Sequence, residues 1–211
     1  MLERSQFIGI PNAIPDRICN YILEDVKKQK TMLALIGTKT PQEIAALPKK
    51  DKENYYKRLN SKRNSNVSFL DLPYIFKYIF PFIKKINKDC WNLDFDQAET
   101  CQYTEYGTKQ FYNWHQDSGG SEETVSERKL SCSLLLNNPN EYDGGDLQFS
   151  WLDPDSNDNE PKTVVDSGNA YNLRTKGTLI VFPSYLIHRV TPITRGIRKS
   201  LVIWWRGKPF S

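Results

Sequence analysis

Histidine is almost missing from this chain. There are two in 211 residues, His115 and His188, so any imidazole chemistry must use one or both. Cysteine is scarce as well. Cys19, Cys90, Cys101 and Cys132 are scattered without CxxC spacing, which speaks against a thiolate zinc site or a disulfide framework and for reduced thiols in the cytoplasm. A strong charge of one sign is lacking. A net charge of +4 does not by itself argue for a nucleic-acid partner. No apolar run approaches the roughly 20 residues needed to span a bilayer, so no membrane association is expected. Met1-Leu2-Glu3-Arg4-Ser5 has no basic n-region followed by an apolar stretch, hence no signal peptide. No internal repeat is present. What remains is a globular composition, 38% hydrophobic and 12% aromatic, in a length that suits one compact domain, monomeric or dimeric.

The chain changes texture near residue 95. Before it, helical spacing dominates. Ile18, Tyr21, Ile22 and Val26 form a stripe behind Asp16, a candidate N-cap beside Pro15. Residues 69–88 carry apolar side chains three and four apart and predict a helix interrupted or restarted at Pro81. Between them, residues 38–66 are polar and basic with Tyr55 and Tyr56 interleaved. This is a solvated helix-loop segment or a mobile basic loop over a site. From residue 95 to 211 short strands are punctuated by Gly, Pro and Asn: 97–106, 130–136, 147–151, 163–165, 170–173, 178–182, 189–191 and 199–205. The expectation is an α+β, mainly β architecture. Residues 1–94 form a helical support, and 95–211 form a jelly roll of the cupin type, a double-stranded β-helix.

The two histidines fall within suggestive surroundings. In Asn113-Trp114-His115-Gln116-Asp117, an extended backbone would put His115 and Asp117 on one face. With His188 they would make two imidazoles and one carboxylate, the donor set of a facial non-haem iron site with open positions. The alternative is two ordinary histidines and a turn-capping Asp117. Ten residues after His188, Arg198 opens the last strand with Ser200 on the same face. A guanidinium beside a hydroxyl suits a bound carboxylate, or an ordinary salt bridge within the chain. Tyr112, Trp114 and Trp204 are either walls of the site or core, and residues 118–129 suit a lid.

His115-x-Asp117, Tyr142-Asp143-Gly144-Gly145-Asp146-Leu147, Gly177-Thr178-Leu179-Ile180-Val181-Phe182-Pro183-Ser184 and the run His188 to Arg198 occur in that order. Over roughly residues 95–206 this resembles the 2-oxoglutarate- and Fe(II)-dependent dioxygenases, in particular the prolyl 4-hydroxylase-like branch with its small bacterial and phage members. The resemblance implies Fe(II) at His115, Asp117 and His188. It implies 2-oxoglutarate with its distal carboxylate on Arg198, O₂ as co-reactant, and ascorbate as an accessory reductant. The tyrosine that meets that carboxylate would be Tyr106, or Tyr103 if the register differs, with Ser200 as helper. Many prolyl hydroxylases have Lys where this chain has Arg198, a departure that bears on the substrate rather than the cosubstrate. The implied reaction is hydroxylation of an unactivated carbon, a prolyl residue in a peptide or protein, with 2-oxoglutarate decarboxylated to succinate. Two other readings stand beside it. One is a nucleic-acid demethylase of the alkylation-repair type, favoured by Arg206 and the basic 49–63 segment. The other is a non-catalytic cupin-like binding module. A halogenase is disfavoured, because Asp117 leaves no place for halide.

Overall fold

The computed structural model describes residues 6–34, 41–118, 127–150, 162–163 and 173–208. The elements are β1 (Ile8–Ile10), α1 (Asp16–Lys27), β2 (Met32–Leu33), α2 (Pro41–Ala46), α3 (Lys49–Lys62), β3 (Arg63–Asn64), β4 (Asn66–Leu70) and α4 (Pro73–Ile86), then a π-helical turn, Asn87–Trp91. They continue with β5 (Gln97–Ala98), β6 (Cys101–Tyr106), β7 (Phe111–His115), β8 (Glu127–Leu135), β9 (Tyr142–Gly144) and β10 (Leu147–Phe149). The last are β11 (Lys162–Thr163), β12 (Leu179–Pro183), β13 (His188–Val190), β14 (Ile193–Gly196) and β15 (Arg198–Gly207).

These strands form a major sheet, in the order β1-β12-β8-β15-β6-β4-β2 with β5 on β15, and a minor sheet, β11-β10-β13-β7-β3. All pairings are antiparallel. A third pair, β14-β9, sits apart. The architecture is the double-stranded β-helix expected from the strand punctuation.

Alternation along the strands separates two cores. The odd residues of β6 and β15, Cys101, Tyr103, Leu201, Ile203 and Trp205, point outward and are covered by α1 and α4. The even residues of the same strands point inward, between the sheets. There a second cluster, including Tyr106, Tyr142, Phe149 and Phe182, fills the interior.

Several expectations need correction. In α1, Cys19 rather than Tyr21 joins Ile18, Ile22 and Val26 on the buried face, and Tyr21 is exposed. The N-cap is Pro15, so Asp16 lies in the first turn, where its charge favours the helix dipole. Residues 69 and 70 belong to a strand, and Pro73 marks the true start of α4, as proline at the first helical position commonly does. Pro81 does not interrupt α4. An interior proline costs about 3 kcal/mol, whereas each fully buried isoleucine contributes about 1.5–3 kcal/mol. Ile75, Ile79 and Ile83 are all fully buried, so packing outweighs the proline.

Of the two readings of residues 38–66, the helix-loop segment agrees with what is seen from residue 41 onward: α2 and α3, then a turn into β3 and β4. Tyr55 packs with Ile44 and Leu47 instead of facing a ligand. The first 94 residues are also more than helical support: β1 pairs with β12, β3 with β7 and β4 with β6. Residues 97–106 form two strands, β5 and β6. Most of the expected 118–129 lid, and the expected strands at 164–165 and 170–172, lie outside the described residues.

Candidate metal centre

The minor sheet places the two histidines side by side. His188 on β13 pairs directly with His115 on β7, and Phe149 on β10 flanks His188 on its other edge. The next inward row is Arg63, Tyr112, Val190 and Leu147. Between these rows β7 advances three residues while β13 advances two, a β-bulge that keeps both Tyr112 and His115 facing inward. Their rings stack, with centroids 3.4 Å apart.

Asp117 reaches the histidines by a different route from simple strand alternation. It lies past the end of β7, where the Ser184 carbonyl accepts hydrogen bonds from both the Asp117 and Ser118 amides, each at 2.9 Å. The turn carries the carboxylate to the imidazoles. Asp117 Oδ1 is 3.6 Å from His115 Nε2, and Oδ2 is 3.6 Å from His188 Nε2. One donor atom from each of the three side chains lies within 4.8 Å of the others.

Hydrogen bonding sets the protonation. His115 Nδ1 is 2.8 Å from the Asn113 carbonyl, and His188 Nδ1 is 2.8 Å from the Leu186 carbonyl. A carbonyl can only accept, so each Nδ1 carries the proton and each Nε2 presents a lone pair to the common point. Metal-bound histidines are commonly held this way. Burial pushes the His188 imidazole down to about 4, against the opposing pull of Asp117, so it is neutral near pH 7. Burial alone would raise the Asp117 carboxyl. His188 and His115 outweigh it and hold Asp117 well below the usual carboxylate range. Ser131 Oγ donates to Asp117 Oδ2 at 2.8 Å and lies 2.8 Å from Ser184 Oγ.

The inward face of the major sheet continues the cavity. Arg198 pairs across the strands with Tyr106, Ser200 with Thr104, and Val202 with Gln102; Trp204 follows. Arg198 is 3% exposed, and its Nη1 donates to Ser200 Oγ at 3.0 Å. Among the described residues it has no ion pair with any carboxylate, so the expected alternative of an internal salt bridge is not seen among them. Its guanidinium carbon is 5.8 Å from the Tyr106 ring centre. Tyr103, one of the two tyrosines offered for the carboxylate, has the wrong parity. It packs in the outer core, and its hydroxyl donates to Glu105. Trp114 is neither wall nor core: it is 36% exposed and faces outward beneath Arg189. Tyr112 and Trp204 do line the cavity. A roomier cleft between α4 and residues 92–98 lies on the helix-covered side and contains none of these groups.

A family model described as the 2OG-Fe(II) oxygenase superfamily matches residues 101–206, half of the chain. The chain belongs to the 2OG-Fe(II) oxygenase superfamily. Within it, a PKHD-type hydroxylase of Xylella fastidiosa (strain M12) is 34% identical over 76 residues, which cover 36% of this chain and 26% of that protein. A PKHD-type hydroxylase of Cupriavidus metallidurans is 29% identical over 107 residues, covering 48% of this chain and 40% of that one. The chain therefore spans well under half the length of these curated relatives. Among solved structures, a Pseudomonas putida prolyl-4-hydroxylase superposes with a TM-score of 0.62 at 17% identity, over 97% of this chain and 94% of that one. A viral collagen prolyl hydroxylase from Paramecium Bursaria Chlorella virus-1, in a 2OG complex, gives 0.63 at 17% identity, over 96% and 97%. At that identity the likeness concerns the fold.

Fe(II) and 2-oxoglutarate are the groups that this superfamily implies, and the residues present fit both. Two Nε2 lone pairs and an ionised carboxylate converge on one point, and a buried guanidinium with no anion among the described residues stands in the same cavity. Sequence reasoning passed over Ser131 and Ser133, although the signal was visible. They are two polar residues of equal parity in Lys129-Leu130-Ser131-Cys132-Ser133-Leu134-Leu135, and both face the interior. It also passed over Arg63, which was taken as part of a basic surface segment and instead lines the cavity.

Proposed function

We propose that this protein is an Fe(II)- and 2-oxoglutarate-dependent dioxygenase that hydroxylates an unactivated carbon, with a prolyl residue of a peptide or protein as the first-choice substrate. The observation that carries the reading is the pairing of two features in one cavity: histidines locked in the metal-ready tautomer and an arginine with no counter-anion among the described residues. The buried guanidinium is a costly arrangement unless an anion meets it. Support for a prolyl substrate comes from the prolyl hydroxylases that share the fold.

When bound, ferrous iron and 2-oxoglutarate supply the oxidising power, by reduction of O₂ coupled to decarboxylation of the cosubstrate to succinate and CO₂. The chain's own residues bind and orient. His115, Asp117 and His188 would hold the metal. Ser131 orients the Asp117 carboxylate by donating to Oδ2. Arg198 and Ser200 take the distal carboxylate of 2-oxoglutarate, with Tyr106 beside them. Phe149 and Phe182 pack around His188 and exclude water from that side. Ascorbate enters only as a reductant that keeps iron ferrous.

Anaerobic titration of the protein with Fe(II) and 2-oxoglutarate tests the reading, with a visible charge-transfer band expected. His188→Ala should lose both the band and succinate formation while keeping its circular dichroism spectrum. Full turnover in that variant would refute the ligand assignment, and no band in the native protein would leave a non-catalytic cupin-like module. A panel of proline-containing peptides, free proline and methylated oligonucleotides, followed by mass spectrometry, then addresses substrate. Loss of a methyl group from the oligonucleotide with no peptide oxidation would move the protein to the repair class.

A further inference from the structure

A second arginine occupies the same cavity. Arg63, on β3, is 8% exposed and lines the cavity together with Arg198 and the three metal-site residues. Its Nε donates to Ser65 Oγ at 2.7 Å. Its guanidinium carbon lies 4.5 Å over the ring of Tyr112, whose ring in turn stacks on His115. Among the described residues, Arg63 forms no ion pair with any carboxylate. Ser65 satisfies one N–H, and the aromatic face attracts the cation but offers no acceptor to the terminal nitrogens.

The surroundings hold only neutral acceptors beside the Asp117 carboxylate, which faces His115 and His188. Gln102 donates its amide N–H to Thr104 at 3.0 Å. Trp204 Nε1 is buried in the same cavity and, among the described residues, has no acceptor within hydrogen-bond distance. Arg63 thus adds a second guanidinium to a cavity that already holds Arg198. A desolvated guanidinium is costly unless an anion meets it, and its planar fork matches a carboxylate in two-point contact.

The distal carboxylate of 2-oxoglutarate is accounted for by Arg198, which lies on the other sheet. Resting on the proposed dioxygenase function, we infer that Arg63 anchors a carboxylate of the primary substrate. The substrate class is then a carboxylic acid: a free amino acid, or a short peptide presented by its terminal carboxylate. A neutral segment from the middle of a polypeptide would leave Arg63 unmatched. The Arg63–Tyr112–His115 stack ties the anchored group to the metal side of the cavity, and this positions a carbon near the anchor for oxidation.

Binding can be tested without turnover, on protein loaded with Mn(II) and saturated with 2-oxoglutarate. The probes are N-acetylproline and N-acetylalanine, each compared with its amide. Broadening of the acetyl-methyl proton signal by Mn(II) reports proximity to the metal. The acids should bind more tightly than the amides by roughly tenfold or more, the range for a charge-assisted contact. Arg63→Gln should abolish that preference, and Arg63→Lys should restore part of it. The comparison of acid with amide on the native protein needs no variant, so it stands even if Arg63→Gln fails to fold. Equal binding of acids and amides would overturn the inference. So would displacement of 2-oxoglutarate by the acids, or an Arg63→Gln variant whose loss falls on 2-oxoglutarate affinity. If Mn(II) and 2-oxoglutarate themselves do not bind, it is the dioxygenase reading that fails.

Discussion

Buried polar groups without partners are the most informative residues in this protein. A folded chain normally satisfies its interior donors, so an arginine held at 3% exposure, with only a serine hydroxyl as partner among the described residues, is the natural place to test for a bound anion. Replacing Arg198 with Ala should raise the 2-oxoglutarate requirement by about tenfold to a hundredfold, the equivalent of roughly 1.5–3 kcal/mol for a charge-assisted contact. Metal affinity should change little, since Arg198 touches none of the three ligands. Titrating 2-oxoglutarate into the metal-loaded variant checks this, and an unchanged affinity would remove Arg198 as the anchor. At this scale the sequence was most legible where chemistry restricts residue type. Two histidines leave little choice of imidazole ligands, and His-x-Asp names the carboxylate. Arg63 was not legible, because nothing in Lys62-Arg63-Asn64 distinguishes a buried arginine from the exposed lysines before it. Its burial depends on β3 pairing with β7, a contact 49 residues apart in the chain at Arg63↔Tyr112.

Among the elements, the turn after β9 shows how a local motif serves a distant side chain. Gly144 and Gly145 both have positive φ, +72° and +67°. A Cβ on Gly145 would also come within 2.9 Å of Arg198 Cδ and would collide with Ile193. The second glycine thus has two duties: to make the turn and to leave room for the arginine. Gly145→Ala should cost roughly 1 kcal/mol or more in stability from the positive φ alone, lowering the melting temperature by about 2–4 °C or more. It should also weaken 2-oxoglutarate binding while sparing the metal. A melting curve with paired metal and 2-oxoglutarate titrations separates these effects, and a variant with native 2-oxoglutarate affinity would show that the arginine does not need the space. The Tyr-Asp-Gly-Gly run was readable as a turn, but its relation to Arg198 was not, because that relation exists only when β9 and β15 are folded together. The proline rule failed in the opposite way at Pro81. A local rule predicted a break, and the isoleucine row of α4 overrode it.

Across the whole molecule, the change of texture near residue 95 suggested a helical support and a β catalytic core, yet the sheets ignore that boundary. β4 extends the major sheet beyond β6, β1 closes its other edge on β12, and β3 extends the minor sheet beyond β7. α1 and α4 cover the apolar outer face formed by Cys101, Tyr103, Leu130, Cys132, Leu134, Leu201, Ile203 and Trp205, all buried in the intact chain. A fragment of residues 95–211 would expose that face to water and leave the β6 edge open for pairing with other chains. It should show no cooperative melting transition, bind a hydrophobic dye strongly and aggregate. Scanning calorimetry and dye fluorescence measure both. A sharp transition in the isolated fragment would mean that the helices merely decorate an autonomous β domain. In that event a second readout still discriminates. The fragment keeps His115, Asp117, His188 and Arg198 but lacks Arg63, so it should bind metal and 2-oxoglutarate while losing any preference for N-acetylproline over its amide. The N-terminal third therefore contributes to the cavity as well as to the fold, because β3 places Arg63 in the lining shared with His115, Asp117 and His188.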